Sequence, residues 1–296
     1  MKLSCTPISL ARTLKEGRMD LRGFLRFCAE QGIEGIDLLD SRAYPWLWKE
    51  GAPELDQVAA WAADEGLAIA AYACGNNFAK TSDEAFCEQV SLVRNALDEA
   101  ARCGAPLLRI FGGYHHQTGG DAEMGLARGF ERVIEGITEV LPHAQRRGVV
   151  LALENHGRLP GHSWEIEQLL AHFNSPWLKV TFDPANFIAN NMDEVEDPLR
   201  AYERLKKHVV HVHVKDFGPA RIDLTRRVEP CLNGTGLVPM RQFLRELLAD
   251  GYTGYCSLEY ESSRVMPEIE GVTASFDYFK EFRRMAGVLN LKDCQS

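Results

Sequence analysis

No run of about 18 uncharged apolar residues occurs in this chain, so a membrane-spanning helix is not expected. The first residues, MKLSCTPISLARTLKEG, lack the apolar core of about 7 to 15 residues that marks a secretory signal, which makes a cytoplasmic protein the expectation. Positive charge is in deficit. The 33 Lys and Arg against 42 Asp and Glu leave a formal charge of −9, which disfavours nucleic acid and anionic membrane as partners and favours small-molecule chemistry. The eight cysteines contain no C-x-x-C pair and read as small buried hydrophobes. No Pro/Gly/Ser-rich linker or shift of composition divides the chain, so residues 1–296 are read as one domain.

What is present is an ordinary globular composition, 45% apolar and 25% charged, in a chain long enough for a substantial core. Eight β-rich runs recur, covering residues 2–6, 34–39, 67–73, 106–112, 149–155, 178–183, 209–215 and 255–260. Between them lie helical patterns with apolar residues at i, i+3, i+4 and i+7, closed by Gly32, Gly66, Gly104, Gly148 and Gly251 in the manner of helix C-caps. Strands alternating with helices call for a parallel sheet with right-handed crossovers, and eight such units match an α/β fold of the (β/α)₈ TIM-barrel type. An open doubly wound sheet is the alternative; against it, no G-x-G-x-x-G follows the first strand. Residues 216–238 form the longest stretch without a helical pattern, and loops of that length usually carry function.

Barrel enzymes place their chemistry at the C-terminal ends of strands. Four consecutive strands here end in groups that bind metals: Leu-Glu154-Asn-His156, Phe-Asp183-Pro-Ala-Asn186, His211-Val-His213-Val-Lys215-Asp216 and Leu-Glu259-Tyr-Glu261. An acid at a strand end is often just the first polar residue after a buried run, or a helix N-cap. Glu154, Asp183, His213 and Glu259 follow one another at 29, 30 and 46 residues, about one βα unit each or slightly more, and four at matching depth resist that explanation. Three converging carboxylates repel, and one bound divalent cation would neutralise them. An oxygen-rich set with one imidazole suits Mn²⁺, Mg²⁺ or Co²⁺ better than the Cys/His sets of structural zinc, although Zn²⁺ is also accommodated. By the period of two, His211 and His213 both face inward, and His213 lies nearer the strand end.

These residues resemble the metal-site strands of the xylose-isomerase-like barrel superfamily: Glu154 in LENHG, Asp183 in TFDPANF, the HVHVKD run and Glu259 in SLEYE. The Gly-Thr-Gly236 and Gly-Tyr-Thr-Gly-Tyr segments resemble it too. The resemblance implies that Glu154, Asp183, His213 (rather than His211) and Glu259 hold one divalent metal. It also implies that Glu154 and Glu259 serve as base and acid in proton abstraction next to a carbonyl, through a metal-stabilised enediolate. The expected activity is that of a sugar or sugar phosphate isomerase/epimerase; the alternative is a dehydratase of the inosose or 3-dehydroshikimate type on the same four ligands. The expected partner is a small carbohydrate or related polyol ketone, and the resemblance carries the expectation of a homo-oligomer. A trinuclear-zinc DNA-repair nuclease is disfavoured, because Asn186 stands where such enzymes carry a histidine and no D-x-H follows the seventh strand. A non-catalytic barrel that only binds is the remaining reading.

Further candidates are rim residues. His156, Asn186, Lys215 and His115 could contact substrate; for His156 and His115 a plain turn or surface histidine is the competing reading, and for Lys215 a buried partnership with Asp216 or Glu259. His116 shares the reading of His115. Arg109, inside the fourth strand, is expected to ion-pair within the barrel, since a buried guanidinium needs a carboxylate. Trp46 and Trp48 could wall the site or simply pack beneath a loop, and Arg221, Arg226 and Arg227 could reach an anionic substrate or remain solvated.

Overall fold

Strands buried on both faces read as continuous apolar runs, and all eight expected ones are found. The computed structural model describes the chain except residues 49–54, 115–123, 190–194, 223–226 and 294–296. The strands are β1 (Lys2–Cys5), β2 (Gly35–Leu39), β3 (Ala68–Ala73), β4 (Leu107–Phe111), β5 (Val150–Glu154), β6 (Leu178–Phe182), β7 (Val209–Val214) and β8 (Tyr255–Leu258). Each pairs in parallel with its neighbours, and β1 closes on β8, giving a (β/α)₈ TIM barrel.

The outer helices are α1 (Leu21–Glu30), α2 (Leu55–Asp64), α3 (Asp83–Arg102), α4 (Leu126–Arg147), α5 (Ser163–Phe173), α6 (Pro198–Leu205), α7 (Met240–Ala249) and α8 (Glu268–Asp293). Side-chain oxygens start several of them: Asp20 accepts from Gly23 N at 2.7 Å and Ser82 from Ala85 N at 3.2 Å. At the other end of α4 the chain turns through Gly148 at φ 68°, a left-handed conformation that carries little penalty without a Cβ. None of these helices is long and apolar enough to cross a membrane, among the described residues.

Within the 216–238 stretch, Asp216–Pro219 pairs antiparallel with Val228–Cys231 as a small hairpin. A second small ribbon pairs Gly113–Tyr114 with Arg158–Leu159. Both lie beyond the C-terminal ends of barrel strands, where they build up the mouth.

Strand register sets the height of the candidate residues. Glu154 lies opposite Thr181, Phe182 opposite Val212, and His213 opposite Ser257. Glu154, Asp183, His213 and Glu259 therefore emerge within a narrow layer at one rim.

Between barrel and helices the core is aromatic and tightly fitted. Phe182 stacks on Phe243 with ring centroids 5.4 Å apart, and Gly136 of α4 packs so closely on Phe78 that a Cβ there would meet the ring at 2.4 Å. Alanine at 136 would favour the helix by about 1 kcal/mol, but overpacking a filled core typically costs about 1–3 kcal/mol. Gly136→Ala is therefore expected to destabilise, by up to about 2 kcal/mol, in urea denaturation; a gain in stability would show that Phe78 yields freely.

Candidate metal centre

Each ligand-type side chain is aimed by its strand and secured locally. Glu154 is the last residue of β5 and Asp183 the first after β6. Asn155 ties these two ends together, donating Nδ2–H to Asp183 O at 2.8 Å and accepting from Asp183 N at 2.9 Å. Asp183 Oδ1 accepts from the N–H groups of Ala185 and Asn186, at 2.9 and 3.3 Å, leaving Oδ2 for the interior. His213 projects from β7 and Glu259 follows β8, its N–H donating to Val214 O at 3.1 Å.

The result is one buried cluster. Glu154, Asp183, His213 and Glu259 each offer one ligand atom, and these four atoms all lie within 4.8 Å of one another. The four residues are at most 7% exposed. His213 Nδ1 lies 3.4 Å from Glu154 Oε1 and 4.0 Å from Glu259 Oε2. Neither ring nitrogen of His213 makes a hydrogen bond, and neither does Asp183 Oδ2. Buried polar atoms are rarely left so; a divalent cation among these donors would take up His213 Nδ1 and Asp183 Oδ2, which otherwise has only the Lys215 ammonium 3.1 Å away. The donor set, three carboxylates and an imidazole, fits such an ion.

Two cations lie among the carboxylates. Arg109, 2% exposed, sets Nε 3.3 Å from Glu154 Oε2 and donates Nη1–H to Cys74 O at 2.8 Å, so the ion pair expected of it is present. Lys215 Nζ donates to Glu259 Oε2 at 2.6 Å and to Glu261 Oε1 at 3.3 Å, and lies 3.1 Å from Asp183 Oδ2. Asp216 is not its partner. The Asp216 carboxylate accepts instead from four backbone N–H groups, Phe217 and Val238 on Oδ1 and Gly234 and Gly236 on Oδ2, at 2.9–3.1 Å. That explains the Gly-Thr-Gly segment in structural terms: a Cβ on Gly236 would meet Asp216 Oδ1 at 2.3 Å.

Electrostatics follow from this packing. Burial alone would raise Glu154, but His213 and Arg109 outweigh it and hold it well below the usual carboxylate range. Glu259 is lowered likewise, burial being overcome by Lys215 and His213. Asp183 is pushed up to about 7, by burial and by repulsion from Glu154 and Glu259 against the pull of Lys215. His213 rises to about 10, because Glu154 and Asp37 outweigh burial. For His156 burial prevails and lowers it to about 4, leaving a neutral imidazole stacked on Phe111 at 4.4 Å.

The remaining expectations divide. Asn186 is beside the cluster, donating Nδ2–H to Glu154 Oε1 at 3.1 Å. His115, His116 and Arg226 lie outside the described residues. Trp48 donates to Leu39 O at 2.7 Å and Trp46 receives Lys15 over its ring, so both are engaged in packing. Arg227 donates to Ile188 O at 3.4 Å.

Three participants were not singled out from sequence. Tyr44 stands beside the Arg109 guanidinium, where burial raises its phenol against the pull of Arg109. Glu261 lines a cavity of about 280 Å³ together with Ile222, Glu229, Arg264 and Val265, and connects it to Lys215. Asp37, on β2, faces both histidines of β7. A carboxylate within the apolar run GIDLL was the only signal for Asp37.

A family model described as xylose isomerase-like TIM barrel matches residues 25–282. The chain belongs to the xylose isomerase-like TIM barrel family. Among solved structures, this family member is similar to the zinc-bound IOLI protein (TM-score 0.76, 14% identity, covering 95% of this chain and 98% of that one). It is similar to 3-keto-D-glucoside 4-epimerase YcjR of Escherichia coli (0.68, 16%, 90% and 94%). It is also similar to AsbF of Bacillus anthracis, a probable 3-DHS dehydratase (0.69, 17%, 95% and 99%). A curated relative, the uncharacterized protein YihM of E. coli K12, is 28% identical over 107 residues, a match spanning 36% of this chain and 31% of that protein.

The Asp216 clamp gives a test of the mouth's construction. Leaving a buried donor unpaired costs about 1–3 kcal/mol, so Asp216→Ala is expected to lose about 2–4 kcal/mol in urea denaturation, with some of the N–H groups rehydrated. Asp216→Asn, which keeps one acceptor oxygen, should lose less. A loss below about 1 kcal/mol for the alanine variant would mean that water replaces the carboxylate.

Proposed function

We propose that this protein is a divalent-metal-dependent isomerase or epimerase of a small carbohydrate or related polyol ketone. The observation that carries the reading is the convergence of Glu154, Asp183, His213 and Glu259 within 4.8 Å at the C-terminal rim. Those four residues would hold one ion, Mn²⁺, Mg²⁺, Co²⁺ or Zn²⁺. When bound, such an ion supplies positive charge for the oxygen that becomes negative as a proton leaves the carbon beside a carbonyl.

The chain's own residues supply the proton chemistry. Glu154 and Glu259 are both held ionised, the protonation state a base requires. Lys215 holds Glu259, and Arg109 and Asn186 hold Glu154, so each carboxylate is fixed by its own partners within the cluster. Epimerisation needs one of the two carboxylates to remove the proton and the other, protonated from solvent, to return one on the opposite face; one carboxylate that carries the same proton between adjacent carbons gives isomerisation. The cavity beside Glu261 would admit a polyol next to Lys215, from which it would have to reach the four residues, none of which lines the cavity.

Dehydration on the same residues is the second reading, favoured by the similarity to AsbF. It needs a proton donor for the departing hydroxyl. His156 is neutral near pH 7, and Lys215 is raised well above its ordinary value by Asp183 and Glu259 despite burial, so it holds its proton tightly. Isomerisation by one carboxylate that keeps and returns its proton needs no such donor, which favours that reading.

Proton NMR in D₂O separates the two. The Mn²⁺-reconstituted protein would be incubated with ketoses, ketose phosphates, inososes and dehydroshikimate. Deuterium at carbon in a product of unchanged formula is expected; a new alkene with loss of water would establish the lyase, and no exchange with any ketone would remove the proton-abstraction reading. Glu259→Gln is expected to reduce turnover by about 10²–10⁴-fold while the melting temperature of the metal-free protein shifts by only a few degrees. Unimpaired turnover would exclude Glu259 as a base.

A further inference from the structure

Asp37 is fully buried in the middle of β2, and the proposed reaction makes no use of it. Its Oδ2 faces two rings, His211 Nε2 at 2.8 Å and His213 Nε2 at 3.4 Å, while Oδ1 accepts from Ser4 Oγ at 3.2 Å. His213 thus points its two nitrogens in opposite senses: Nε2 toward Asp37, and Nδ1 toward Glu154 Oε1 and Glu259 Oε2. To coordinate an ion His213 must release one of its ring protons; the neutral imidazole then carries one N–H and one lone pair, and only the lone pair can coordinate. Carboxylates stand 3.4 Å from both nitrogens, Asp37 at Nε2 and Glu154 at Nδ1; once an ion takes the Nδ1 side, the remaining hydrogen stays on Nε2, where Asp37 stabilises it.

We infer that Asp37 is a positioning residue that fixes His213 as its Nε2–H tautomer and so presents the Nδ1 lone pair to the carboxylate cluster, with His211 and Ser4 holding Asp37 in place. The inference rests on reading that cluster as a metal centre. It gives the two histidines of β7 different work: His213 coordinates, and His211 anchors the carboxylate behind it. Asp37, His211 and His213 are also close enough to hold an ion of their own. A second ion there would need His213 to bridge through both nitrogens and lose its remaining ring proton, whereas the 2.8 Å contact between Asp37 and His211 is already complete as a hydrogen bond. Among the described residues, one ion at the four-residue cluster follows, with none held between Asp37 and His211.

The test is calorimetric titration of Mn²⁺ and Zn²⁺ into metal-free wild-type protein and Asp37→Asn, with thermal melts of both. Wild type should bind one ion. The variant should bind it about 10–100-fold more weakly, the usual loss when the partner behind a ligating histidine is removed, while its metal-free melt stays cooperative. Nitrogen-15 NMR of zinc-loaded wild type reads the tautomer without relying on the variant's folding; His213 should be protonated at Nε2 and coordinated through Nδ1. Equal affinity in a folded Asp37→Asn, coordination through Nε2, or a second ion bound between Asp37 and His211 would each overturn the role of Asp37. Failure of wild type to bind either ion would instead overturn the metal-centre reading beneath it.

Discussion

Burying like charges together is the constraint on which this barrel mouth is built. Two carboxylates about 4 Å apart repel by about 4 kcal/mol at an effective dielectric constant near 20, and Glu154, Asp183 and Glu259 meet at that scale, with Asp37 close behind His213. Positive charge has to be placed among them. Arg109 supplies it to Glu154, and Lys215 to Glu259 and Asp183. The two cations do not remove the strain: Asp183 is still pushed up to about 7, and His213 is drawn up to about 10. His213 Nδ1 and Asp183 Oδ2 face this cluster without hydrogen bonds, and the proposed divalent cation would add the positive charge that Arg109 and Lys215 leave wanting.

The scaffold bears this cluster because a closed parallel barrel has no edge to slip. Register between β5, β6, β7 and β8 fixes the height of each side chain, Asn155 locks the end of β5 to the start of the segment after β6, and Asp216 pins the hairpin beyond β7 through four backbone N–H groups. Precision at the rim thus comes from backbone bonds and buried packing, while the loops beyond are left to shape the cavity.

Much of this was legible in the sequence, for identifiable reasons. Strands of a parallel barrel are apolar on both faces, so each run stood out, and a Glu or Asp terminating such a run marked the rim directly. Glu154, Asp183, His213 and Glu259 were readable for that reason, and their spacing followed the βα repeat. What was not readable depends on contacts distant along the chain. Asp37 meets His211 across 174 positions, and Lys215 could not be assigned to Glu259 over Asp216 until Asp216 was seen to be taken up by Gly234 and Gly236. Tyr44 lies in a loop with no periodic signal, and its proximity to Arg109 arises only once β2 and β4 are placed around the same barrel. Trp46 and Trp48, more conspicuous in the sequence than Tyr44, are occupied in packing.

The four-residue centre is most directly examined by anomalous diffraction from a crystal of the protein soaked in Mn²⁺. A single peak per chain, bounded by Glu154, Asp183, His213 Nδ1 and Glu259, is the expected result. A soaked crystal with no peak there, or with the ion bound elsewhere and Lys215 unmoved among the carboxylates, would contradict it and leave the cluster as an ion-pair network closed by Lys215 and Arg109.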